Sequence, residues 1–113
     1  QVKTPYGGWD LEGMISFGGL VASTRAILEF LDIYQVSGDD IGALRTGTES
    51  STWRRNHTGS LSGTNTLARQ RGDGVNYVVL FNKRPSTGGY YSSQIRGEID
   101  DLLDQGLICW PRN

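Results

Sequence analysis

The sequence predicts a small α+β fold: an antiparallel sheet of three to five strands, a helix beginning after Ser23, and a C-terminal helix packed on one face of the sheet. Three observations predict it. Behind Ser23, Ile27, Leu28, Leu31 and Tyr34 recur at the spacing of one helical face. From Thr52 to Asn82 the chain reads as three strand-like runs separated by glycine-bearing turns. Tyr91, Ile95, Ile99, Leu102 and Leu103 then form a second helical stripe, with Gly106 placed as its C-terminal stop. A chain of 113 residues fits one domain.

In chain order, Gln1 to Gly19 is rich in glycine, proline and aromatic residues without a sustained period, and reads as an ordered loop or short extended piece. Ser23 stands where an N-cap belongs, so a helix is expected from about Thr24 to Gln35, widened by Phe30 and stopped by Gly38. Asp39 to Ser51 reads as loop. Thr52 to Leu61 and Thr64 to Gln70 are strand candidates. Val75 to Asn82 is apolar on both alternating faces, which predicts a central strand covered on both sides.

Arg71-Gly72-Asp73-Gly74 reads as the hairpin turn before that last strand. It spells the cell-adhesion triplet, but its position at a tight turn favours turn chemistry over adhesion. Lys83 to Gly89 is a second loop. In the C-terminal helix Gly97 lies opposite the apolar stripe, facing either solvent or a closely packed element. Leu107 to Trp110 reads as a last short extended piece.

A net charge of −1 gives no basic footprint, which argues against nucleic acid or an anionic membrane surface as partner. No apolar run reaches the ~18 residues of a membrane span. One cysteine, Cys109, leaves no internal disulfide, and one histidine beside it falls short of a structural zinc site. No cofactor is expected. Sixteen glycines are about twice the average share, which implies many turns or close backbone approaches.

Asn56-His57-Thr58-Gly59-Ser60-Leu61-Ser62-Gly63-Thr64 holds the only histidine, among small hydroxyl residues and glycines. It reads either as a bend between strands or as an open strand end that a ligand approaches closely, since Gly59 and Gly63 carry no Cβ. Asn56-His57-Thr58 is also a glycosylation sequon, read as accidental. Trp9 and Trp53 offer an aromatic sugar-binding face or, more commonly, core packing. Asp100 and Asp101 are adjacent on a helix and so point in different directions.

The order of these elements resembles the C-terminal portion of the serine hydrolases of the penicillin-binding-protein and β-lactamase superfamily, in the branch of class C β-lactamases, D-alanyl-D-alanine carboxypeptidases and related esterases. Three matches carry the resemblance, over about Gly18 to Leu103. Gly18-Gly19-Leu20-Val21-Ala22-Ser23-Thr24 is similar to that branch's Gly-Gly-x-x-x-Ser-Thr helix start, although an acid is usual where Arg25 or Ala26 stands. His57-Thr58-Gly59 with Gly63 resembles the third catalytic motif, Lys/His-Thr-Gly. Gly74 to Asn82 resembles the strand that follows it.

The resemblance implies roles residue by residue. The backbone N–H of Ser60 would donate to the oxyanion, and the Thr58 hydroxyl would bind a substrate carboxylate or amide oxygen. Gly59 would let substrate lie along the strand edge, and His57 would sit near the proton-shuttling groups in place of the usual lysine. The family's nucleophile, in Ser-x-x-Lys, and its second motif, Tyr-x-Asn or Ser-x-Asn, are both missing here. Neither Lys3 nor Lys83 follows a serine by three residues, and no Tyr or Ser precedes an Asn by two.

The expectation is therefore a fragment of such a hydrolase, inactive alone and completed by an N-terminal segment or chain. The alternative is a non-catalytic module on the same fold that holds a peptide or glycan. The sequence leaves the location open, and the resemblance is compatible with an extracytoplasmic one. Sheet edges and apolar surface left bare in such a fragment predict a homo-oligomer or strand-swapped dimer.

Overall fold

The computed structural model describes residues 21–86 and 89–110. The elements run α1 (Thr24–Ile33), β1 (Arg54–Leu61), β2 (Thr64–Arg71), β3 (Tyr77–Phe81) and α2 (Tyr91–Asp104). The strands form one antiparallel sheet in the order β1-β2-β3. Successive β2 side chains show how the helices lie. Gln70 reaches α1, while Arg69 and Arg71 on either side of it reach Asp100 of α2. Neighbouring strand residues point to opposite faces, so α1 and α2 cover opposite faces of the sheet. The expected α+β fold with a C-terminal helix is the observed one.

Helix α1 begins as its sequence dictates. Ser23 is its N-cap, and the serine Oγ accepts from the Ala26 N–H at 3.2 Å. The helix ends at Ile33, two residues short of the expected Gln35, with Tyr34 already extended. The cause is tertiary. The Gln70 amide donates to the carbonyls of Leu31 and Tyr34 at 2.7 and 2.6 Å and accepts from the Val36 N–H at 3.1 Å. The Arg45 N–H takes the Ile33 carbonyl at 2.7 Å, and Tyr34 bridges to Leu44. The last turn's carbonyls find better partners outside the helix than a further turn would supply.

Leu61 pairs with Thr64, so Ser62-Gly63 is a two-residue hairpin turn, with Gly63 at φ +79°. The second connection differs from the expected tight Arg71–Gly74 turn. Strand β2 continues through Arg71 and β3 starts at Tyr77, leaving five residues between them. Only Gly74 takes a positive φ, +88°. Side chains shape this loop: Asp73 Oδ1 accepts from the Val75 N–H, and Asn76 Oδ1 from the Arg71 N–H, both at 3.3 Å.

The expectation of a central, doubly covered strand at Val75–Asn82 is corrected here. Strand β3 is an edge strand, half-buried for most of its length, and β2 is the central one. An apolar sequence is what two covered faces usually require, but β2 meets that burial with hydrogen-bonded polar side chains instead.

Tyr90 is the N-cap of helix α2 and makes no side-chain cap. Asn65 of β2 supplies the missing acceptor, its Oδ1 taking the Ser92 N–H at 2.8 Å. The helix stops in a Schellman motif: Gly106 at φ +66° donates to Leu103 and Leu107 donates to Leu102, both at 3.1 Å. Gly97 has open space where a Cβ would be, so that face meets solvent. Residues 107–110 form no strand. The expectations for Gln1 to Gly19, Trp9 and the Gly-Gly pair at 18–19 lie outside the described residues.

Among the described residues the buried apolar side chains are Leu31, Val36 and Leu67, outnumbered by buried Asn65, Arg69, Gln70, Arg71 and Ser92. The interior is therefore specified largely by polar pairing, which must be complete to be stabilising. One backbone approach is equally exacting. A Cβ on Gly72 would lie 1.9 Å from the Ser50 carbonyl oxygen and 3.1 Å from the Trp53 Cβ. Gly72→Ala must push two backbone segments apart, and the expected loss is about 2 kcal/mol, seen as a lower urea midpoint at unchanged slope.

Candidate functional site

The site suggested by the sequence lies on β1, an edge strand whose outer side no described residue pairs. Which backbone groups face outward follows from the register. The Gly72 N–H donates to the Trp53 carbonyl at 2.9 Å, so that pair, one step beyond Arg54↔Arg71, is hydrogen-bonded. Antiparallel pairs alternate. Arg55, His57, Gly59 and Leu61 therefore turn their N–H and C=O toward β2. Arg54, Asn56, Thr58 and Ser60 turn theirs toward the open edge. The N–H groups of Thr58 and Ser60 both project from this edge.

Side chains along β1 part to the two faces. His57 is exposed and lines an open groove on the α1 face together with Gly59 and Ala68. Thr58, also exposed, falls on the α2 face with Ser60, whose Oγ is buried without a hydrogen-bond partner. The strand thus brings Thr58 and the Ser60 N–H together at the edge and sets the imidazole in the groove. Gly59 has a local explanation as well. A Cβ there would meet Thr66 Oγ1 at 2.6 Å, and that hydroxyl donates to the Gly59 carbonyl at 3.4 Å. A cross-strand threonine already requires glycine at 59.

The groove measures about 420 Å³. Ile27, Phe30 and Leu31 of α1 form one wall, Val36 and Ile41 one end, and Val78 and Leu80 of β3 continue the floor beyond Ala68. Phe30 is 48% exposed, Ile41 63% and Leu80 43%, so this is an open apolar face, and among the described residues His57 is the one titratable side chain lining it. The sequence showed the stripe on α1. It did not show that the stripe covers the sheet only in part.

The opposite face carries a polar cluster that sequence reasoning missed. Arg71, 1% exposed, donates to Asp100 at 2.9 Å and Asp104 at 2.6 Å and pairs with Asp73. Arg69 reaches the other Asp100 oxygen at 2.5 Å, and Tyr77 Oη donates to Asp100 at 3.0 Å. The first effect on Arg71 is its hydrogen bond to Asp73, which with the other carboxylates raises its pKa. Burial pushes the Tyr77 phenol up, and the Asp100 carboxylate adds to it. Arg54, which pairs with Asp73 and Asp104 at 3.6 and 3.1 Å, completes a set of three arginines against three aspartates.

The same geometry bears on the other motifs. Arg71-Gly72-Asp73 is closed on itself, its guanidinium held by its own aspartate, so the triplet is not displayed as an adhesion loop. Asn56 of the sequon accepts from Arg69 and Arg96 through Oδ1 at 3.2 and 3.3 Å. Trp53 lies under the guanidinium groups of both Arg45 and Arg55, at 5.2 and 5.4 Å, a packed ring rather than an open sugar platform. Among the described residues no three His, Cys, Asp or Glu side chains gather to hold a metal ion, and no helix is long and apolar enough to cross a membrane. No protein-family model, curated protein or solved structure matches the chain.

Proposed function

We propose that the chain is the C-terminal part of a serine hydrolase of the penicillin-binding-protein and β-lactamase type, contributing the substrate-binding strand and an oxyanion donor to an active site completed elsewhere. The observation that supports this most is the open edge of β1. The outward N–H of Ser60 stands one step from the exposed Thr58 on a strand held along eight residues by β2. Acyl transfer builds negative charge on a carbonyl oxygen, and a donor fixed in advance stabilises it without reorganisation. The Thr58 hydroxyl binds a carboxylate or amide oxygen of the substrate, and His57 tunes the charge of the site from the groove side. Nucleophile and base come from a segment or chain bearing Ser-x-x-Lys and Tyr-x-Asn, which this sequence lacks.

The test is turnover of nitrocefin and of a p-nitrophenyl ester. The chain alone is expected to be inactive. Combined with an N-terminal partner carrying Ser-x-x-Lys it is expected to turn over one of them, and Thr58→Val then lowers kcat/KM about 10–100-fold through the lost hydrogen bond to a charged group. Clear turnover by this chain alone would falsify the proposal. Binding of peptidoglycan fragments without turnover in any combination would favour a non-catalytic module instead.

A further inference from the structure

We infer that two copies of this chain pair antiparallel through their β1 edges, joining the two sheets into one of six strands with the two His57 residues side by side at the two-fold axis. The inference needs only the edge geometry, and it competes with the catalytic proposal for the same groups: a paired edge withholds the Ser60 N–H from substrate, so the dimer would be a resting form that must open before substrate binds.

Outward-facing groups occur at Arg54, Asn56, Thr58 and Ser60, which fixes the registers available to a second strand. The pairing with most hydrogen bonds sets Arg54 against Ser60 of the second copy and Asn56 against Thr58, each pair occurring twice about the axis. It makes about eight inter-strand hydrogen bonds, two for each pair. Shifting the axis to Thr58 loses a pair, because Ser62 then has to pair from within the hairpin turn. An odd shift sets outward groups against inward ones and makes no ladder.

Charge selects the antiparallel sense. Arg54 and Arg55 lie together at one end of β1. Parallel pairing would stack them on their counterparts, whereas antiparallel pairing sets them against Ser60 and Gly59 of the second copy. The guanidinium of Arg54 is already turned away to Asp104 at 3.1 Å, and that of Arg55 lies over Trp53. The edge also lacks the devices that prevent such pairing. It has no proline, no lysine and no Asp, Glu or Arg from Asn56 to Leu61, and its eight residues exceed the usual ~5–6 of a strand.

In this register His57 meets His57 of the second copy in a non-hydrogen-bonded pair on the groove face, where opposed Cβ atoms approach to about 4.5–5.5 Å. The two apolar grooves then meet across the axis, and each copy contributes its histidine to the other's groove. An edge-to-edge contact is small, so the dimer is expected to form and dissociate with concentration.

The experiment combines light scattering with residue-resolved amide exchange on the intact chain. A rise toward twice the monomer mass with concentration is expected, together with slowed exchange at Asn56, Thr58 and Ser60. Arg55, His57 and Gly59, bonded to β2 in either state, are slow throughout. His57→Asp puts two like charges at the axis, and Thr58→Pro deletes an outward N–H while sparing the β1–β2 ladder. Each is expected to weaken the dimer at least about tenfold. A monomer at every concentration overturns the inference. So does a dimer whose Asn56, Thr58 and Ser60 amides exchange freely, which would place the contact on another surface.

Discussion

Asp100→Ala is expected to lower the stability of the fold by about 3–4 kcal/mol, read from urea unfolding followed by circular dichroism. The carboxylate accepts from Arg69, Arg71 and Tyr77 at once. Its removal strands Arg69 Nη2 and Arg71 Nη1 between β2 and α2, while Tyr77 Oη keeps the Arg96 carbonyl at 3.4 Å. Arg69 suffers most, because among the described residues Asp100 is its one ion-pair partner and its Nε is already buried without a hydrogen bond. Arg71 keeps Asp73 and Asp104, which holds the loss toward the lower end for a broken buried pair.

The same carboxylate gives the fold an acid limit. Burial pushes the Asp100 carboxyl up, but hydrogen bonds from Arg69, Arg71 and Tyr77 outweigh this and hold it below its ordinary value. Asp73 and Asp104 are lowered in the same direction, first by their hydrogen bonds to Arg71. A depressed folded-state pKa means that the stabilisation is complete above about pH 4 and is lost as pH falls through the folded-state values. Asp100→Asn, which keeps an acceptor oxygen without the charge, is expected to flatten that acid slope.

Gln70→Leu is the second large effect, with an expected loss of about 2–4 kcal/mol. Leucine has similar volume, so packing changes little. What disappears is one acceptor and two donor contacts that hold the carbonyls of Leu31 and Tyr34 and the N–H of Val36. Leu31 retains Arg45 Nη1 at 3.1 Å, so the full cost falls on Tyr34 and Val36. Gln70→Glu is expected to be no rescue: a carboxylate keeps the Val36 contact but faces two carbonyl oxygens with no proton to give them. Faster amide exchange at Val36, ahead of global unfolding, marks the local character of the damage.

Much of the fold was legible because α1, the β1–β2 pair and α2 are written in local chemistry. Ser23 caps, the spacing of Ile27 and Leu31 repeats at the helical period, and Gly63 and Gly106 stand where the chain turns left-handed. The order of the sheet was not legible. Hydrophobic patterning takes polar residues as exposed, and the central strand here buries Asn65, Arg69, Gln70 and Arg71. Their partners are distant in sequence: Ser92, Asp100 and the end of α1. No local signal announces such pairs, so the apolar β3 looked like the centre.

The candidate site was legible as a motif and illegible as an arrangement. Sequence order picks out His57, Thr58, Gly59 and Ser60 together. Only the register shows that His57 and Thr58 part to opposite faces and that the Thr58 and Ser60 amides share the open edge. Gly59 also carried an ambiguous signal. A glycine expected to admit a ligand is one that the Thr66 hydroxyl already requires.

Both helices borrow an end group from β2. Asn65 supplies the acceptor that Tyr90 does not offer at the start of α2, and Gln70 takes up carbonyls at the finish of α1. Neither helix terminus is complete until the middle strand is in place, so the order in which structure accumulates is constrained. Helical turns formed early in the unfolded chain gain little until the hairpins close, and loop closure across these sequence separations limits the rate. Three layers that look separable in space are thus expected to form and melt as one cooperative unit, with a strand that carries few apolar cues as its keystone.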